Sequence, residues 1–171
     1  MNTFKILSLD GGGIRGLYAV KVLEQVEEKY GPLGESFDMI CGTSTGGLIA
    51  LAIGLGKSCR EIGDFYMERG DKIFPRKKSW PRLAGMARQL VLNGYSAKVL
   101  RREIESFFGK EKRMRDCQLP LCVFSYNISR GKPIVFKSPH PFANYVRDGE
   151  IPIVDVALAT ASAPTYFRNH N

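Results

Sequence analysis

At 171 residues, 44% hydrophobic and 25% charged, the chain has enough apolar material for one domain with a substantial core and too much for a disordered tail. Its four cysteines, Cys41, Cys59, Cys117 and Cys122, lack paired CxxC spacing, and His140 and His170 stand far apart, so free thiols, no metal and no cofactor are expected. The net charge of +8 is concentrated between Lys57 and Arg115, with 16 Lys and Arg against 7 Asp and Glu there and 9 against 10 elsewhere, a balance that suits an anionic lipid surface or nucleic acid as well as a solvated face.

In chain order, Phe4 to Leu9 (FKILSL) reads as a buried strand running into glycines, and a helical stripe of Tyr18, Val22 and Val26, flanked by Leu17 and Leu23, follows to about Tyr30. Met1 to Leu9 is too short for a secretory leader, which predicts a cytoplasmic chain. After the Gly31-Pro32-Leu33-Gly34 punctuation, Phe37 to Cys41 is a second strand and Gly46 to Gly56 a helix apolar on every side. Met39 to Gly56 carries no charge over 18 positions, but its glycines and Thr43-Ser44-Thr45 fit a core strand and core helix better than a membrane span.

Ser58 with Glu61 forms a capping box opening a helix with Ile62, Phe65 and Tyr66. Lys72 to Val91 combines Arg76, Lys77, Lys78 and Trp80 with a Leu83, Met86, Leu90 stripe, which fits peripheral contact with an anionic membrane and equally a packed surface helix. Ser96 is placed to cap a helix bearing Val99, Leu100, Ile104, Phe107 and Phe108. Leu119 to Tyr126 and Pro133 to Lys137, joined by a Ser129-Arg130-Gly131 turn, read as paired strands. The alternation predicts a single α/β domain over residues 1–171, with helices on both faces of the sheet.

Two glycine motifs carry the chemistry. Gly11, Gly13 and Gly16 satisfy GxGxxG between strand and helix, which serves either a phosphate or, through its backbone N–H groups, an oxyanion. Gly42-Thr43-Ser44-Thr45-Gly46 is GxSxG in the same context, a nucleophile elbow that projects the Ser44 hydroxyl, or more plainly a helix cap in a glycine-rich turn. A dinucleotide site asks for an acidic residue at the end of the second strand, where Ile40-Cys41-Gly42 stands instead. The pair therefore favours one crevice, with Ser44 as nucleophile and backbone donors beside it.

Asp10 to Gly16 (DGGGIRG), Gly42 to Gly46 and the alanine-rich Asp155 to Phe167 (DVALATASAPTYF) together resemble the patatin-like phospholipases. The resemblance implies a three-layer α/β/α sandwich with a mostly parallel central sheet, and a Ser-Asp dyad esterase that releases fatty acids from membrane phospholipids. It implies Ser44 as nucleophile, Gly12 and Gly13 as the oxyanion hole, and Arg15 as support for the glycine loop. The family's catalytic aspartate follows the AxxAP turn, so it is expected after Asn171. Asp148-Gly149-Glu150 imitates that turn but precedes the alanine-rich helix. The resemblance also admits a nucleotide activator or an oligomer, while the basic residues match no motif for reading nucleic acid. Two other readings stand beside it: a non-catalytic lipid- or nucleotide-sensing module, and an α/β-hydrolase with Ser44, Asp148 and His170 in triad order.

Overall fold

The structure, a computed structural model, describes residues 3–73, 98–139 and 147–161. Among the described residues one sheet runs in the order β1 (Ile6–Leu9), β2 (Met39–Thr43), β3 (Leu121–Asn127) and β4 (Lys132–Lys137). The first three strands are parallel, with Leu9 opposite Gly42 and Thr43 opposite Phe124. β4 returns antiparallel along β3 after a turn in which Gly131 has φ 59°. The helices are α1 (Gly16–Tyr30), α2 (Leu33–Ser36), α3 (Thr45–Gly54), α4 (Cys59–Ile73), α5 (98–108) and α6 (Ile153–Ala161). This is the expected α/β class with a mostly parallel sheet.

Local sequence explains the element ends. The Ser58 hydroxyl accepts the Glu61 N–H at 3.2 Å while the Glu61 carboxylate accepts the Ser58 N–H at 2.9 Å, so two orphan amides of α4 are satisfied by the expected box. A third, the Cys59 N–H, reaches the Glu27 carboxylate of α1 at 2.7 Å, which ties α4 to α1 and puts negative charge at a helix N-terminus. α1 ends at Gly31, with φ 85°, whose N–H bonds the Glu27 carbonyl at 2.9 Å before Pro32 stops the helix.

The α1 stripe differs from expectation. Gly16, Val20 and Leu23 are its buried positions, whereas Tyr18 is 78% exposed and Val22 45%. The reason is close packing: at Gly16 a side chain would collide with Thr45 of α3, so the face that approaches the core is the one with least bulk at its start.

Successive strands are laid down in one direction, and right-handed crossovers then carry α1 and α3 to the same face of the sheet. α3 crosses β1, β2 and β3 on that face, with all ten of its residues buried, and α6 lies beside it over β3. Leu9, Ile40, Leu121 and Val123 fill the interface, each contributing roughly 1.5–3 kcal/mol by leaving water. α5 joins the same core through Leu100, Ile104 and Phe108, with Phe107 stacked on Phe65 of α4 at 4.0 Å between ring centroids. The described residues thus supply the sheet and one helical layer. The opposite sheet face, where Ile6, Phe124 and Tyr126 are exposed, is not covered by them.

At the far edge, the Arg147 guanidinium donates to the Val135 carbonyl of β4 at 2.9 Å, and the Lys137 N–H donates to the Asp148 carboxylate at 3.0 Å. Ser138 closes the β3–β4 end, its hydroxyl accepting the Leu121 N–H at 2.8 Å and donating to the Leu119 carbonyl at 3.1 Å.

Candidate active site

β2 ends at Thr43 and α3 begins at Thr45, so Ser44 alone makes the turn between them. Its φ of 53° with ψ of −123° is the one positive φ of a non-glycine residue among the described residues. Such a conformation costs about 1–3 kcal/mol and persists where its surroundings over-determine it. Here they do. A side chain at Gly42 would overlap the Gly46 carbonyl, and one at Gly46 would overlap the Leu9 carbonyl of β1, so both outer positions of GxSxG are fixed by backbone against backbone. The elbow projects Ser44 from the carboxyl end of a central parallel strand, at the N-terminus of a buried helix whose dipole favours negative charge nearby.

The glycine loop after β1 lies against this residue. A Cβ built at Gly11 would stand 3.0 Å from the Ser44 Cβ and 3.7 Å from its Oγ, so a side chain there would press on the Ser44 Cβ. Gly12 and Gly13 follow; Gly13 has φ 58° and opens a 3-10 turn, Gly13–Arg15. In that turn the Gly12 carbonyl accepts the Arg15 N–H at 3.2 Å. A trans peptide aims its N–H opposite to its C=O, so the Gly13 N–H is directed out of the turn. Among the described residues neither the Gly12 nor the Gly13 amide donates to a protein acceptor. Arg15 is exposed at the end of the turn, and Asp10 is exposed ahead of the glycines.

Hydroxyl groups brace the two turns. Thr45, fully buried, donates from its Oγ1 to the Gly13 carbonyl at 2.9 Å, fastening the glycine loop to the first residue of α3. Tyr66 of α4 is buried close to Thr45, and burial pushes its phenol far above the ordinary tyrosine range. On the other side, Thr160 of α6 accepts the Ser44 N–H at 2.8 Å and donates to the Phe124 carbonyl at 2.7 Å. Sequence reading singled out neither threonine for this role. Thr45 had a local signal as the x of GxSxG, but Thr160 lies 116 residues from Ser44 and had none.

Asp148 goes elsewhere. It is buried, with its carboxylate held by the Arg147 guanidinium at 2.7 Å and by the Lys137 N–H. Lys137 pairs with Cys122, two residues before the Phe124 that pairs with Thr43. Two strand spacings and two residue steps separate Lys137 from Thr43 by roughly 12 Å. The described partners of the Asp148 carboxylate are thus those of an edge-strand brace. His170, the Lys72 to Val91 segment beyond residue 73, Ser96 and the end of the alanine-rich stretch from residue 162 lie outside the described residues. Asp155 sits in the first turn of α6 and pairs with Arg101 of α5 at 2.8 Å.

The thiols are free, and among the described residues no group of three His, Cys, Asp or Glu side chains is placed to hold a metal ion. Among the same residues no helix is long and apolar enough to cross a membrane.

A strained serine at a strand-to-helix elbow, beside a glycine loop with undonated amides, is suited to attack a carbonyl and hold the resulting oxyanion. Comparison with known proteins points the same way. Residues 7–171 match the family model described as patatin-like phospholipase. The chain is 40% identical over 181 residues to a cGAMP-activated phospholipase of Vibrio cholerae serotype O1, a match covering 99% of this chain and 50% of that protein. A protein of the same description from Escherichia coli is 36% identical over 174 residues, covering 97% of this chain and 48% of its own length. The chain thus spans about half the length of the curated relatives it matches. Among solved structures, VipD from Legionella pneumophila has a TM-score of 0.56 at 11% identity, over 98% of this chain and 44% of that one, a likeness of fold alone.

Proposed function

The chain belongs to the patatin-like phospholipase family, and from that premise we propose that it carries the nucleophile half of a lipid acyl hydrolase that releases fatty acids from membrane glycerolipids. The observation that carries this reading is the Ser44 backbone at φ 53°, ψ −123°, with Gly11 pressed against its side chain. In the proposed cycle the Ser44 Oγ attacks the ester carbonyl as its proton passes to a carboxylate base. The tetrahedral oxyanion is held by the Gly12 and Gly13 N–H groups, with Arg15 supporting their loop, and the protonated base returns the proton to the leaving alcohol. Water, activated by the same base, then splits the acyl-enzyme. We assign the base to an aspartate of the longer protein, following residue 171, because the Asp148 carboxylate is occupied by Arg147 and the Lys137 amide.

Substrate engagement is proposed at the surface of an anionic membrane through the basic Lys72 to Val91 segment; sedimentation with anionic but not neutral vesicles is the expected result. The names of the two bacterial relatives refer to activation by cGAMP, and we extend a cyclic-dinucleotide requirement to the full-length form of this chain. The deciding experiment gives the full-length protein phospholipid vesicles and a fluorophosphonate probe, with and without cGAMP. Wild type is expected to release fatty acid and take up the probe at Ser44, and Ser44→Ala to lose both activities by at least about 1,000-fold. Full-length wild type that neither takes the probe nor releases fatty acid would instead favour a sensing module.

A further inference from the structure

We propose that Thr160 is a positioning residue for Ser44: its hydroxyl, placed between the Ser44 N–H and the Phe124 carbonyl, locks the elbow peptide to the middle of β3. The inference rests on the hydrolase reading above and names a part of the site that neither glycine motif contains.

The Ser44 amide has no partner within its own element. It precedes the first turn of α3, where helix amides lack intrahelical acceptors, and the reversal at Ser44 takes it out of the parallel ladder that ends at Thr43. A single hydroxyl satisfies it while passing its own proton to the Phe124 carbonyl, so donor and acceptor capacity are both used. Thr160 is buried, and Gly47 on α3 leaves the room it occupies: a Cβ at Gly47 would stand 2.8 Å from the Thr160 Oγ1. The threonine is thereby held on three sides, by α3, by β3 and by its own helix. Fixing the 43–44 peptide plane fixes the direction from which the Ser44 side chain leaves the backbone. A hydroxyl mis-aimed by a fraction of an ångström loses rate far more than it loses substrate affinity.

α6 has a second link to β3 that serves as a control. The Ser125 hydroxyl donates to the Ala159 carbonyl at 2.7 Å, one residue from the Thr160–Phe124 bond on both the strand and the helix side, while the Ser44 N–H goes to Thr160. Loss of that bond loosens the docking of α6 but leaves the elbow amide satisfied.

The test uses the full-length protein, with fluorophosphonate titration to count competent sites and p-nitrophenyl butyrate to measure turnover per titrated site. Thr160→Val keeps the shape and removes the hydroxyl; its kcat per site is expected to fall roughly 10- to 100-fold with KM within about twofold. Thr160→Ser is expected within about threefold of wild type, and Ser125→Ala to lower the melting temperature with kcat per site unchanged. Should Thr160→Val not fold, Thr160→Cys, with a weaker acceptor of similar size, is expected to give the same split at smaller amplitude. An unchanged per-site kcat in Thr160→Val or Thr160→Cys overturns the inference while leaving the hydrolase reading intact, as does a Thr160→Ser variant no faster than Thr160→Val. Wild type that fails to label overturns both.

Discussion

One face of the sheet presents Leu9, Ile40, Leu121 and Val123 to α3 and α6 and is dry. The other presents Ile6, Ser8, Met39, Cys41, Thr43, Cys122, Phe124 and Tyr126, of which Ile6 is 55% exposed and Tyr126 59%. The two differ more in coverage than in chemistry, since six of the eight open-face positions on the three parallel strands are apolar or carry a thiol. A sheet meant to face water alternates apolar with polar positions, and parallel sheets are covered on both sides. The open face is therefore composed for burial, and it fits the second helical layer of the three-layer family fold. Because β1, β2 and β3 step in one direction, right-handed connections cannot reach that face until the chain winds back past β1. The reversal point would fall beside the glycine loop, where open α/β sheets place their binding crevices.

The comparison is most easily broken from the covered side. Ile40→Ala, at a fully buried position between β2 and α3, is expected to cost about 2–5 kcal/mol in urea unfolding. On the open side, Phe124→Ser in the full-length protein is expected to cost about 1–3 kcal/mol; a change within about 0.5 kcal/mol would mean that this face remains solvated in the longer chain. A subtler contrast lies in the thiols. Burial, with Glu27 and then Glu24 beside it, pushes the Cys59 thiol in the helical layer up to about 12, while burial and the neighbouring Cys122 raise Cys41 on the open face to about 11. A raised folded-state value means the stabilisation is complete below the ordinary thiol value of 9.0 and is lost as pH climbs toward about 12. Unfolding midpoints of wild type should therefore fall across that window, and those of Cys59→Ala, lower at neutral pH, should fall less. Alkylation is expected at Cys41 before Cys59, read by mass spectrometry of peptides.

Much of this was legible in the sequence because the signals are local. The Ser58 and Glu61 box, the β3–β4 hairpin with Gly131 in its turn, and the two glycine turns each depend on residues a few positions apart. The α1 face was misjudged because periodicity counts apolar side chains, whereas the buried side was chosen by the absence of one at Gly16 beside Thr45. Thr160 was illegible for a related reason. A threonine in an alanine-rich helix has no distinctive spacing, and its role exists only once α6 meets the end of β2. Asp148 looked like a spare carboxylate until β4 supplied the amide that holds it.

That brace has a consequence for how the molecule can grow. Along the outer side of β4, Pro133 has no N–H to offer, the Val135 carbonyl is taken by Arg147 and the Lys137 amide by Asp148. Side chains thus occupy the row where a neighbouring strand would bond, which blunts lateral association with other chains. Among the described residues, the edge without such side-chain occupation is that of β1, next to the amides proposed to receive the oxyanion.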